Sequence, residues 1–323
     1  MKKIISMSFL LAATMLLIPL VALPDSKSVA AATTVKGVNE VPKAKEAVSE
    51  SFRVCVSDTG EITEIDAQDY IFGVVAAEMP ALYHEEALKA QAVAAYTYAC
   101  VRKAQNGGKD YDITTDNTTD QSYISEEAAR NKWGDNADEY IKKIKSAVNS
   151  VKGYMVTYDG KPITAVYHAV SSGKTEDSKN VWGKELPYLK PVVSEGDKLA
   201  KNYITEVSFT ADELKTKFVG EPEVDFTAET LFKDMVKTDS GTVTSITVGN
   251  KTLKGARVRT LLDLRSTCFE VKNIENTYTF TVYGYGHGVG MSQTGADYMA
   301  DQGSDFKEIL KHYYTDCKVE KID

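Results

Sequence analysis

Tyr70-Ile71-Phe72-Gly73-Val74-Val75-Ala76-Ala77-Glu78-Met79-Pro80 is an apolar helical run that ends on a carboxyl group, the only charge between Asp69 and His84. At helical spacing Glu78 shares a face with Ile71, Val74 and Val75, so burial of that face strips water from the carboxylate and raises its pKa. A general acid working near neutral pH requires this. The ordinary alternative is a helix-end glutamate that reaches water past Pro80. Asp66 supplies an N-cap for the run, and Pro80 ends it because a residue before proline is pushed out of the helical region.

Working outward, Phe52-Arg53-Val54-Cys55-Val56 and Asp58-Thr59-Gly60 give a strand and turn within residues 52–65. A second helix is expected from Glu85 to Lys103, where Leu88, Ala92, Ala95 and Ala99 recur at three- and four-residue steps and the alanines allow close packing. Gly107-Gly108 ends it. A third helix spans 137–150, and paired strands over 153–170 join at Asp159-Gly160 and end in Tyr167-His168. Farther on come a helix start at Thr210-Ala211-Asp212-Glu213-Leu214, a short hydrophobic helix near Leu231 to Val236, and a hairpin over Val243 to Lys251. Because strands and helices do not alternate as βαβ units, the expected class is α+β with mainly antiparallel strands. The folded domain runs over 52–319, with 203–253 as a second lobe.

A chain of 323 residues, 43% apolar and 26% charged, can bury a sizeable core. Its net charge of −8 argues against a nucleic-acid partner, since phosphate binding needs clustered Lys and Arg. Any anionic substrate must be met by local basic residues. At the N-terminus, Lys2 and Lys3 precede an apolar stretch from Ile4 to Leu23, and Ala30-Ala31-Ala32 follow. Residues 1–24 therefore read as an export signal, either cleaved or retained as a single anchor with the rest of the chain outside. Residues 25–51 are a polar tether. The four cysteines, Cys55, Cys100, Cys268 and Cys317, permit three disulfide pairings in that compartment, and their spacing contains no zinc-site pattern. No metal or cofactor is expected.

Three segments place polar residues where a core element would not. Thr114-Thr115-Asp116-Asn117-Thr118-Thr119-Asp120-Gln121-Ser122-Tyr123 is dense in groups suited to sugar hydroxyls, with a capped loop as the alternative. His168-Ala169-Val170-Ser171-Ser172-Gly173-Lys174-Thr175 brings a histidine to the start of a serine- and glycine-rich loop. Around His287, Tyr283-Gly284-Tyr285-Gly286-His287-Gly288-Val289-Gly290-Met291-Ser292-Gln293-Thr294 lets backbone amides approach a ligand closely, and Ser292 or Thr294 opens the next helix.

Glu78-Met79-Pro80, Glu86 to Ala95, Asp120-Gln121, His168 to Thr175 and Gly286 to Gln293, in this order, with Leu264-Arg265-Ser266 and His312-Tyr313-Tyr314, resemble the stage II sporulation protein D/LytB family over nearly all of residues 52–317. The resemblance implies a peptidoglycan lytic transglycosylase of the sporulating cell, acting during forespore engulfment. Its substrate would be the bond between N-acetylmuramic acid and N-acetylglucosamine in peptide-free glycan strands, cut to leave 1,6-anhydromuramic ends. The family glutamate maps onto Glu78. His168, Ser171, Ser172, Gly173 and Thr175 would line a glycan-binding groove, and Gln91, Asp120 and Gln121 would support loops or bond hydroxyls. His287 and Gln293 would hold substrate or brace the glycine-rich loop. One carboxyl group serves both steps of this reaction, and no second acid in the sequence has a comparably apolar setting. The implied partners are a cell-wall amidase and a multispanning membrane scaffold.

Several positions depart from the family pattern. Tyr96 stands where many relatives have an arginine, so a basic contact to the muramic carboxylate is absent or moved; Tyr285 replaces a tryptophan, and Ala169-Val170 interrupts the usual His-Ser-Thr-Ser. Some relatives bind zinc through cysteines downstream of the histidine matching His168, but none lies here between Cys100 and Cys268. Two other functions stay in view: a non-catalytic glycan-binding enhancer of an amidase, and a serine hydrolase using Ser171 or Ser172 with His168. The latter lacks a Gly-x-Ser-x-Gly elbow.

Overall fold

The Asp66 carboxylate accepts hydrogen bonds from the backbone N–H groups of Gln68 and Asp69, so the apolar run starts as a helix at Ala67 and ends at Glu78, with Met79 already extended. The computed structural model describes residues 41–116 and 118–322. The signal or anchor of residues 1–24 and the first part of the tether lie outside the described residues. Among those described, no helix is long and apolar enough to cross a membrane.

The helix Ala67–Glu78 packs on a long helix, Glu85–Gln105, whose Ala87, Ala90, Ala94, Ala95 and Ala99 are fully buried. These small faces let the helices Ala137–Ser150, Gln293–Asp301 and Phe306–Tyr313 close on the same core. Strands edge this core. Ser51–Cys55 pairs antiparallel with Ile62–Asp66 and in parallel with Ile113–Thr114, and Tyr154–Tyr158 pairs antiparallel with Lys161–Pro162 and Lys318–Lys321. Asp159 and Gly160 both take positive φ, as a two-residue hairpin turn demands.

A second hydrophobic cluster draws on residues 209–282. Ile204–Thr210, Thr277–Tyr283 and Phe269–Ile274 form one antiparallel sheet, and Phe232–Lys237, Val243–Val248 and Lys251–Lys254 form another. The segment 203–253 thus supplies only part of this cluster. The architecture is α+β with mainly antiparallel sheets, as expected.

Three sequence expectations change. Leu231 to Val236 is not a helix but the start of the strand Phe232–Lys237. A register shift between Lys233 and Val236, with Asp234 at φ 51°, puts Phe232 and Met235 three residues apart on the partly buried side, which imitates a helical period. The helix Glu126–Trp133, capped by the Ser125 hydroxyl, went unread in the sequence. All four cysteines are free thiols.

Gly73 sets the spacing between the first helix and the polar segment that crosses it. A Cβ there would lie 2.3 Å from the Tyr123 ring and 2.5 Å from the Ile124 carbonyl oxygen. The ring could turn, but the backbone oxygen cannot. Alanine gains about 1 kcal/mol of helix propensity over glycine, whereas overpacking costs about 1–3 kcal/mol. Gly73→Ala is therefore expected to lower stability by up to about 2 kcal/mol in urea titration, and to displace Ser122 from Glu78.

Candidate active site

Glu78 sits in the last turn of its helix with only 7% of its surface exposed. Ser122 approaches across the Gly73 contact, and its backbone N–H donates to Glu78 Oε1 at 2.8 Å. Burial pushes the Glu78 carboxyl up to about 7, against the pull of the Ser122 N–H, the Ser122 hydroxyl, the Gln293 amide and the Lys132 charge. Desolvation dominates, so the acid and its carboxylate coexist near neutral pH.

Other carboxylates are buried too, which corrects the expectation that Glu78 would be alone in this. Asp197 and Glu176 are both buried, in segments whose polar flanks concealed it. Their oxygens are occupied differently. Asp197 accepts from the backbone N–H and hydroxyl of Ser171 and from the Ser292 hydroxyl. Glu176 accepts from Asp177 N–H, Asn180 Nδ2 and the Thr238 hydroxyl. Asp112 and Asp120 are ion-paired, with Arg53 and Arg102. Glu78 has no ion pair among the described residues.

Two predicted residues join Glu78. Ser292 caps the helix Gln293–Asp301, which carries Gln293 toward the carboxyl group, and Gln293 Nε2 donates to Gln91 Oε1 at 3.3 Å. Gln91 Nε2 is buried without a hydrogen-bond partner among the described residues. Gln121 braces the same wall: its amide nitrogen reaches the Tyr70 hydroxyl and the Ala95 carbonyl, and its oxygen accepts from the Tyr167 hydroxyl at 2.8 Å.

His168 and His287 meet because Tyr167-His168 pairs in parallel with Met291-Ser292. Their ring centroids are 5.6 Å apart, with Trp182 5.2 Å from His287. Burial lowers His168 to about 4 and drives His287 well below its usual range, so both rings are neutral at pH 7. His168 Nδ1 faces the Val289 carbonyl at 3.1 Å, while its Nε2 and Trp182 Nε1 are buried without partners among the described residues.

The remaining predicted residues are fasteners. Ser171 is bound to Asp197, the Ser172 hydroxyl donates to the Ser240 carbonyl, and the Thr175 hydroxyl accepts from Val192 N–H. Gly173 takes φ +97° beneath the Lys198 side chain. Asp120 holds Arg102 and the Thr114 N–H. In the hydroxyl-rich loop, Thr118 and Thr119 donate to Asp116, the capped-loop alternative. No hydrogen bond joins His168 to Ser171 or Ser172 among the described residues, which removes the support for a serine hydrolase. Tyr96 donates to the Ser49 carbonyl and packs on Phe52, so this position is turned to the N-terminal strand.

The sequence reading missed Lys132. Its Nζ donates to the Ala76 carbonyl at 3.0 Å, two residues before Glu78. Ser125 as cap and the Glu126/Arg130 pair at i,i+4 were the available signals for its helix. Lys132 favours the carboxylate, so Lys132→Gln should move the Glu78 titration above 7 and shift the pH-activity profile upward, as read by carboxyl NMR and by rates.

A family model described as Stage II sporulation protein matches residues 56–158, which include Glu78, Gln91, Asp120 and Gln121. The chain is 36% identical over 269 residues to Stage II sporulation protein D of Bacillus amyloliquefaciens, covering 81% of this chain and 76% of that protein. Against Stage II sporulation protein D of Bacillus subtilis (strain 168) it is 36% identical over 265 residues, with coverage of 81% and 76%. It is also 29% identical over 293 residues to a Bacillus subtilis protein named Amidase enhancer, covering 75% of this chain and 39% of that protein.

Proposed function

The chain belongs to the stage II sporulation protein D family, which gives it a sporulation role tied to the cell wall, and from that premise we propose that it is a peptidoglycan lytic transglycosylase with Glu78 as its acid and base. The observation that carries this reading is a buried carboxyl group, without an ion pair among the described residues, pushed up to about 7.

A group at that pKa is available in both forms at neutral pH. Protonated Glu78 donates to the glycosidic oxygen as the bond from that oxygen to muramic C1 breaks, leaving positive charge on the sugar ring. The resulting carboxylate takes the proton of the muramic C6 hydroxyl while that oxygen closes on C1. The proton returns to Glu78 and no water is consumed. The backbone N–H of Ser122 fixes the carboxyl group, and Gln293 held by Gln91 lies on the same side. The glycan strand as substrate, a cell-wall amidase and a membrane scaffold as partners, and extracytoplasmic placement through residues 1–24 are parts of the same proposal.

Mass spectrometry of products from peptide-free glycan strands tests it. Transglycosylation gives anhydro-muramic ends, each lighter by one water than the reducing ends of hydrolysis. Reducing ends would replace this mechanism by hydrolysis. Intact strands would favour the second reading, a non-catalytic glycan-binding enhancer of an amidase, for which the similarity to a protein named Amidase enhancer is the supporting observation.

A further inference from the structure

In a chain of net charge −8, two arginines near the candidate site have no ion pair among the described residues. Arg259 lies on the helix Gly255–Leu262 and is half-buried; its Nε donates to the Leu264 carbonyl at 3.1 Å. Arg265 follows on the segment leaving that helix. Its Nη1 donates to the Asn202 carbonyl at 3.2 Å, and its guanidinium carbon lies 4.5 Å from the centre of the Tyr285 ring. The remaining N–H groups of both guanidinium forks have no protein acceptor among the described residues.

The backbone ties these arginines to the catalytic region. Gly286 N–H donates to the Arg265 carbonyl, Ser266 bridges Gly286, and Tyr285 pairs with Val170. Burial raises Tyr285, on which the charges of Arg265, Arg259, Asp263 and, least of these, Glu78 also act, and Arg259 adds to the forces holding His287 neutral. The Asp263 charge offsets part of the cost of burying Arg259 but forms no ion pair with either arginine among the described residues, and a bidentate carboxylate is the ligand that the open donors of a guanidinium fork fit best. Tyr96 cannot supply this charge, because it bears no cation and is engaged at Ser49.

We propose that Arg259 and Arg265 form a carboxylate subsite that takes the lactyl carboxylate of the muramic acid residue. The proposal rests on the glycan strand being the ligand of this site, but not on its being cleaved. The subsite would let the protein tell muramic acid from N-acetylglucosamine, which lacks that acid.

Binding is measured in a Glu78→Gln background, so that ligands survive, by titration calorimetry against three probes of equal length: a peptide-free muramyl oligosaccharide, its methyl ester, and a chito-oligosaccharide. The acid is expected to bind about tenfold or more tighter than either neutral probe, the effect of a charge-assisted contact. Added salt should narrow that preference. Arg265→Gln should bring the acid down to the ester, while Arg265→Lys retains part of the preference; circular dichroism confirms that each variant is folded. Equal binding of acid and ester by the parent would overturn the proposal, and so would an Arg265→Gln loss shared equally by all three probes. If wild-type protein releases no anhydro product while this discrimination holds, the transglycosylase reading falls and the subsite stands.

Discussion

Glu78→Gln should reduce the formation of anhydro-muramic ends by roughly 10³- to 10⁴-fold while binding of glycan strands persists. A single general acid or base contributes about 10²- to 10⁴-fold. Here one group is asked to protonate the leaving oxygen and then to deprotonate the C6 hydroxyl, so its removal falls at the upper end. Glutamine is the informative substitution because its amide oxygen can still accept the Ser122 N–H, which leaves the helix end and the crossing segment in place. The check is a time course of product ends for wild type and variant, with sacculus binding measured alongside. Cleavage by the variant at a rate near wild type would remove Glu78 from the chemistry.

The same substitution should change how stability depends on pH. The Glu78 carboxyl has an ordinary value of 4.5 and is pushed up to about 7 in the folded protein. Its folded state therefore binds more protons than the unfolded chain between those limits. The stability associated with the neutral group is fully present below pH 4.5 and is lost as pH rises through 7. The difference of about 2.5 units corresponds to about 3 kcal/mol. Glutamine carries no such penalty, so the stability of Glu78→Gln relative to wild type should rise by about 3 kcal/mol from pH 4 to pH 8. His168 titrates in the opposite sense, but it is present in both proteins and cancels in the comparison. Urea titrations of the pair at several pH values provide the measurement, and a flat difference would show that Glu78 ionises as an exposed glutamate does.

Much of the first half of the chain was legible because local signals and tertiary demands agree there. Asp66 caps, Pro80 stops, and the alanine ladder of the second helix packs as its spacing predicts. Glu78 was legible for the same reason, as a charge on a face that every neighbour marked as apolar. The strand at Phe232 was not, since a bulge reproduces the three-residue step of a helix. Nor were the tasks of Ser171, Ser172 and Thr175 legible. Their hydroxyls suit a sugar as well as they suit Asp197, Ser240 and Val192, and only the packing decides between them. Lys132 was hidden because its relation to Glu78 arises where a later helix meets Ala76.

The burial of the Glu78 cluster also bears on the speed of encounter. Gln91, His168, His287 and Gln293 are all buried, and the Ser172–Ser240 and Glu176–Thr238 bonds fasten the His168 loop to the segment beside the second hydrophobic cluster. If the proposed glycan substrate enters by parting this seam, it meets Glu78 only in the fraction of molecules in which the seam is open. Apparent affinity is then the intrinsic affinity multiplied by that fraction. A companion protein that wedges the seam apart would raise glycan affinity and turnover together without touching a sugar, and loosening the Thr238 or Ser240 fastening would do the same from within.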